Sequence, residues 1–166
     1  MSGIIAQITR HAPCWYDVRG LAILALAYQI SLTDLVRWFS LNISDKHLEV
    51  AVGSGAVLQR CLTRKGWKSS GIVHAMDIDS RMVARAEAVL CGHLTECAVM
   101  DAETLVVSEN RYNSINLANC VHCFRDPAAV VRGASHCLND GGTMAANILL
   151  HPDIATVRGI VAAAVN

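Results

Sequence analysis

With 166 residues, the chain has material for one domain and one sizeable core. Hydrophobic residues make up 53%, which excludes a disordered composition. Fourteen basic side chains balance 14 acidic ones, which argues against a phosphate-binding surface and so against nucleic acid as a partner.

Residues 1–19 read as irregular. Leu21, Leu24, Ala25, Tyr28, Leu32, Leu35 and Val36 recur at helical spacing and predict a helix over residues 20–38. Its apolar run, Leu21 to Ile30, falls short of the roughly 20 residues that cross a bilayer. The pattern continues as an amphipathic helix through Trp38, which speaks against both a membrane span and a signal peptide. The seven cysteines, an odd number scattered through apolar segments, read as reduced thiols in a cytoplasmic protein.

After a turn at Asn42 to Asp45, strands and helices alternate. Leu48 to Val52 is a short strand ended by Gly53-Ser54-Gly55, and a helix follows over residues 56–65. Gly66 to Gly71 is a loop, and Ile72 to Met76 is a second strand ended by Asp77. Ser80 to Cys91 is helical, with Gly92 as its C-cap. A third strand, Glu96 to Met100, ends at Asp101, and a fourth runs from Tyr112 to Ala118. Pro127 opens a helix to Leu138. Asn139 to Gly142 is a turn before a fifth strand, Thr143 to Leu149. This alternation predicts an α/β fold, a doubly wound, mostly parallel sheet of about five strands behind an N-terminal helical segment. Residues 1–40 are expected to form that segment, and residues 41–166 the main domain.

In such sheets ligands bind beyond the carboxyl ends of the strands. Glu49, Asp77, Asp101 and Asn119 all fall at that edge, beside the glycine turn. Capping would explain any one of them. Four in succession point to a ligand. Gly53 and Gly55 allow a tight turn and a close approach to the backbone. A dinucleotide fingerprint wants a third small residue where Leu58 stands, which argues against a nicotinamide or flavin oxidoreductase. Asp77 lies at the distance of a ribose-binding carboxylate, which accepts from two hydroxyls, and Asp101 suits the exocyclic amine of adenine.

In this order, residues 47–149 resemble the class I S-adenosylmethionine-dependent methyltransferases, of the broad group that includes the ubiquinone/menaquinone biosynthesis enzymes. His47 to Gly55 resembles the first family motif, Met76 to Met82 the second, and Met100 to Glu103 the acidic loop that lines adenine. Tyr112 to Pro127 resembles the fourth strand and its loop, and Leu138 to Gly142 the turn before the fifth. The resemblance implies a Rossmann-like fold and S-adenosylmethionine as cofactor, released as S-adenosylhomocysteine. It implies that Glu49, Ala51, Gly53, Ser54 and Gly55 meet the methionine end and the turn beneath it. Asp77 would bind ribose, with Ile78 and Met82 against the adenine ring. Asp101 and Ala102 would hold the adenine edge, and Asn119 would sit near the sulfonium. Tyr16 would belong to an N-terminal segment that closes over the cofactor.

Three departures bear on function. Ala51 stands where the family usually has glycine, and Glu49 where it usually has aspartate. The chain after Leu149 reads as a loop at His151-Pro152 and a helix over residues 154–165, so the family's last two strands are expected to be missing. That would expose a sheet edge, which a homodimer or a partner chain could cover. Two functions follow. One is methyl transfer to a small-molecule acceptor by in-line displacement, with His122 as candidate general base where the acceptor needs one. The other is a non-catalytic S-adenosylmethionine-binding protein or a regulatory subunit that needs a partner. Cys120, His122 and Cys123 invite a metal reading, but a structural site wants a second knuckle, so no metal is expected.

Overall fold

The computed structural model describes residues 30–67, 71–105 and 111–148. The chain divides into two compact units, residues 36–148 and residues 1–35 with 149–166. The sheet and the candidate site belong to the first of these units.

Helix α1 spans Leu32–Asn42, and β1 spans Lys46–Val50. Then come α2 (Ala56–Lys65), β2 (Ile72–Asp77), α3 (Ser80–Leu90), β3 (Thr95–Val99), β4 (Tyr112–Leu117), α4 (Pro127–His136) and β5 (Leu138–Ala146). Single 3-10 turns occupy Ala102–Thr104 and Val121–Cys123. The sheet order is β3-β2-β1-β4-β5, and every pairing is parallel. This is the Rossmann-like α/β sheet that the alternation predicts. Strand order reverses between β1 and β4, the switch point at whose carboxyl ends sheets of this kind hold their ligands.

Local chemistry explains the element boundaries. Asp79 and Asp126 cap α3 and α4, their side chains accepting from the N–H groups of Arg81 and Ala129. Pro127 fits the first turn of α4, where its missing N–H costs nothing. Gly66 ends α2 in the left-handed region at φ 63, with Trp67 N–H donating to Leu62 O and Gly66 N–H to Thr63 O.

Four boundaries differ from expectation. Ile30 and Ser31 are not helical, so the helix expected over 20–38 does not run through. It starts at Leu32, where Ser31 Oγ accepts from Asp34 N–H. The same helix passes Trp38 and ends at Asn42, which was expected in a turn. There the Asn42 amide donates to Ile115 O and Asn116 Oδ1 and docks the helix end on β4. Gly92 is not a left-handed C-cap, because α3 closes on Cys91 in the right-handed region. Finally, β5 begins at Leu138 rather than Thr143. Tyr112 pairs with Leu138 and Ser114 with Thr143, so the Asn-Asp-Gly-Gly segment is an irregularity inside the strand, not a separate turn. Arg111 and Tyr112 both donate to Cys137 O and hold that start in place.

One sheet face carries Leu48, Val50, Met76, Ile115 and Leu117, buried together with Val130 and Ala134 of α4. Each fully buried aliphatic side chain there contributes roughly 1.5–3 kcal/mol. The opposite face is partly polar. His47 and Glu49 stand beside Ser114 and Asn116 in register, and all four are buried. α1 reaches this face through Asn42, α2 meets α1 through Cys61 Sγ and Val36 O (3.7 Å), and α3 meets the start of α2 where Gly55 lies against Ala86. A Cβ on Gly55 would stand 3.0 Å from Ala86 Cα, so glycine is what lets this helix start approach α3. Residues 149–166, where the last two family strands were expected to be missing, lie outside the described residues.

Candidate functional site

The loop after β1 turns within five residues. Ala51, Gly53 and Gly55 take φ of 52, 56 and 80, and Val52 N–H continues the ladder to Met76 O at 2.8 Å. Glycine adopts such angles freely; alanine does so at a cost of roughly 1–2 kcal/mol. Ser54 is buried within the turn.

This turn is tied to the end of β2. Gly53 N–H donates to Asp77 Oδ2 at 2.9 Å, and Asp79 N–H donates to Asp77 Oδ1 at 3.0 Å. Both Asp77 oxygens are thereby fixed, and each keeps a lone pair for a ligand hydroxyl. Ile78, next in the chain, is 68% exposed, whereas Met82 is buried on the inner side of α3. Asp101 follows β3 and caps the 3-10 turn, accepting from Glu103 N–H at 2.9 Å, and Ala102 is buried beneath it. Glu103 Oε1 accepts from Arg125 N–H at 2.7 Å, which ties this loop to the one after β4.

Beyond β4, Asn119 takes φ 55, a left-handed conformation that asparagine tolerates. Asn119 N–H donates to Asn147 Oδ1 at 2.7 Å, and Asn147 Nδ2 donates back to Asn119 Oδ1. Cys120 is buried and donates to Val50 O (3.6 Å), which spans the switch between β4 and β1. Burial, followed by the nearby charge of Glu49, pushes its thiol pKa up, so it stays protonated. His122 is exposed on the following turn.

Glu49 is 3% exposed, and His47 Nε2 lies 3.2 Å from its Oε2. Asn116, its register partner on β4, is fully buried. Thus Glu49, Ala51, Gly53, Ser54, Gly55, Asp77, Ile78, Asp101, Ala102 and Asn119 all lie on or just beyond the carboxyl ends of β1–β4. Met82 lies deeper, in α3, and Tyr16 lies outside the described residues. Sequence reasoning missed Asn147, His47, Ser114 and Asn116. The last three carried a signal, because polar residues two apart in strands buried on both faces need partners. Among the described residues, no three His, Cys, Asp or Glu side chains gather as a metal site.

An all-parallel sheet with a glycine turn after its first strand and acidic groups after its second and third defines a nucleoside-binding α/β protein. The family is the methyltransferase domain, which the chain matches over residues 48–146 and to which it belongs. It has the class I S-adenosylmethionine-dependent methyltransferase fold. Three solved structures illustrate the likeness. A methyltransferase of Aquifex aeolicus, described as S-adenosylmethionine-dependent, superimposes with TM-score 0.60 at 19% identity, covering 75% of this chain and 65% of that one. An S-adenosylmethionine-dependent methyltransferase of Clostridium acetobutylicum gives 0.59 at 16%, covering 79% and 56%. The amino pentose methyltransferase CalS10 of Micromonospora echinaspora, with S-adenosylmethionine bound, gives 0.55 at 21%, covering 74% and 51%. The chain spans about half the length of several solved structures it matches. No curated protein matches it in sequence.

Proposed function

We propose that the chain binds S-adenosylmethionine across the carboxyl edge of β1–β4 and directs its methyl group to a small-molecule acceptor in the cytoplasm. The observation that carries this reading is the coupling of the glycine turn to Asp77 through the 2.9 Å Gly53–Asp77 hydrogen bond. It sets a carboxylate beside a turn whose backbone a ligand can approach. The donor set fits the cofactor. Asp77 offers acceptors to the ribose hydroxyls, and Asp101 and the Ala102 backbone face the adenine edge, with Ile78 against the ring. Glu49 is a buried carboxylate whose described partner is an imidazole, so it suits the methionine ammonium. Asn119, held by Asn147, sits nearest the acceptor.

S-adenosylmethionine supplies a methyl group already activated by a positive sulfur. The chain's residues then need only align the acceptor in line and exclude water. His122 is the candidate to take a proton from an acceptor hydroxyl. The N-terminal segment that includes Tyr16 is proposed as the lid, without Val36 to Ser40, which belong to the sheet unit, and a homodimer or partner chain is proposed as cover for the sheet edge. The described cysteines are free thiols, as a reducing compartment allows, and no described helix is long and apolar enough to cross a membrane.

Calorimetry with S-adenosylmethionine tests the reading. Micromolar binding that Asp77→Ala weakens supports it, and methyl transfer from labelled cofactor to a panel of small acceptors then identifies the substrate. Binding without transfer to any acceptor favours the non-catalytic subunit. No binding by the folded chain overturns both.

A further inference from the structure

The polar residues of the β1/β4 face form a chain that ends on Glu49. Ser44 N–H donates to Ser114 Oγ at 3.0 Å, and the Ser44 and Ser114 hydroxyls lie 2.8 Å apart. Ser114 Oγ lies 2.7 Å from His47 Nδ1, and His47 Nε2 lies 3.2 Å from Glu49 Oε2. His47 and Ser114 are fully buried.

With Glu49 ionised and His47 neutral, this chain has one direction. A carboxylate only accepts, so His47 Nε2 must carry a hydrogen and donate it to Glu49. A neutral imidazole then has a bare Nδ1, which accepts from the Ser114 hydroxyl. Ser114, having given its hydrogen to His47, accepts from both Ser44 N–H and Ser44 O–H and uses its two lone pairs. In this arrangement each of the four contacts pairs one donor with one acceptor, and Glu49 Oε1 is left for a ligand. The arrangement holds the buried tautomer with Nε2–H facing Glu49.

We infer that His47, set by Ser114 and Ser44, is a positioning residue: it pins Glu49 Oε2 so that Oε1 faces the α-ammonium of the bound amino-acid moiety. This rests on the cofactor reading given above. A second, independent feature marks the same spot. Asn116, the register partner of Glu49, has a buried Nδ2 that meets no acceptor among the described residues, although its Oδ1 accepts from Asn42 at 2.9 Å. A buried amide donor left open beside a buried carboxylate points to a polar ligand group or water that completes the set. A donor and an acceptor side by side suit an amino acid's ammonium and carboxylate. They do not suit an apolar tail, which would leave both unpaired.

The test compares two ligands that differ only in the part Glu49 is held to meet. S-adenosylhomocysteine carries the amino-acid moiety, and 5′-methylthioadenosine lacks it. Affinities for both are measured by calorimetry on the full chain as wild type, His47→Leu, His47→Gln and Ser114→Ala, each with a thermal melt. His47→Leu removes the donor. His47→Gln keeps an amide N–H near the position of Nε2. The expected result is a loss of about tenfold or more in S-adenosylhomocysteine affinity for His47→Leu, from the lost charged hydrogen bond and the freed carboxylate. Methylthioadenosine affinity should stay unchanged, and His47→Gln should recover most of the loss. A folded His47→Leu chain that binds both ligands as wild type does, or that weakens both equally, overturns the inference. If His47→Leu does not fold, Ser114→Ala decides: selective weakening of S-adenosylhomocysteine upholds the inference, and equal effects on the two ligands overturn it. A wild-type chain that binds neither ligand would overturn the cofactor reading itself, an outcome distinct from these.

Discussion

Gly53 N–H and Asp77 Oδ2 lie 2.9 Å apart, so one hydrogen bond joins the turn after β1 to the end of β2. The bond lets Asp77 orient the turn, beside the ribose-binding role proposed for it above. Asp77→Asn keeps one oxygen for Gly53 but removes the charge and the paired acceptors. It should weaken S-adenosylhomocysteine by about 10- to 100-fold, the range of a charged hydrogen bond, with little change in melting temperature. Asp77→Ala should lose the same affinity and also lower the melting temperature, because Gly53 N–H then lacks its partner. Calorimetry and thermal melts on the two variants separate these effects.

Ala51 offers a stabilising change. Its φ of 52 costs alanine roughly 1–2 kcal/mol. Glycine removes that strain but adds about 0.4–1 kcal/mol of unfolded-state entropy. Ala51→Gly should therefore gain up to about 1.6 kcal/mol, seen as a rise of up to about 6 °C in Tm. Ala51→Val, with a branched Cβ in the left-handed region, should lower Tm. A fall in Tm on Ala51→Gly would mean that the Ala51 methyl contributes packing that exceeds the strain.

The positions of these residues were legible in sequence to different degrees. The five strands and the helix over 56–65 follow from alternating apolar runs and glycines, and so does the row of polar residues at one edge. The start of β5 did not follow. Its Asn139-Asp140-Gly141-Gly142 has turn chemistry, yet the Cys137 carbonyl binds Arg111 and Tyr112 and draws Leu138 into the sheet. The end of α1 was hidden for a similar reason, since Asn42 extends the helix through bonds to a strand more than 70 residues away. The Asn119–Asn147 pair was equally invisible, because nothing local links the two.

Gly71 stands at the opposite edge of the sheet, where β2 begins. A Cβ there would lie 2.6 Å from Asp45 O and 2.8 Å from Asp45 Cα, both backbone atoms that cannot swing away. Ile72 N–H donates to the same Asp45 carbonyl at 2.7 Å, so relief of the clash would strain the first rung between β1 and β2. Gly71→Ala should cost about 1–3 kcal/mol, as overpacking does, and lower Tm by several degrees. Because the site lies at the other ends of the strands, ligand affinity of the folded variant should match wild type. A melt that shows no change would remove the close approach as the reason for this glycine.

Two buried thiols predict a loss of stability in alkali. Burial, with a smaller contribution from Glu49, pushes Cys61 up to about 12, and the same causes in the same order raise Cys120. In the unfolded chain both thiols ionise near the ordinary cysteine value of about 8.5. Above that pH the unfolded state has released protons that the native state still holds. Stability is therefore complete below about pH 8.5 and falls as pH rises toward 12, by up to about 1.4 kcal/mol per pH unit for each thiol. Denaturant melts from pH 8 to 10.5 should show this slope, and Cys61→Ala should make it shallower. Alkylation followed by peptide mass spectrometry gives an independent check at pH 8. Exposed Cys91 should react quickly in the native protein, whereas Cys61 and Cys120 should react only once denaturant unfolds it. Native labelling of Cys120 at the rate of Cys91 would show that the junction between β4 and β1 opens, and the Cys120 contribution to the alkaline slope would then be absent.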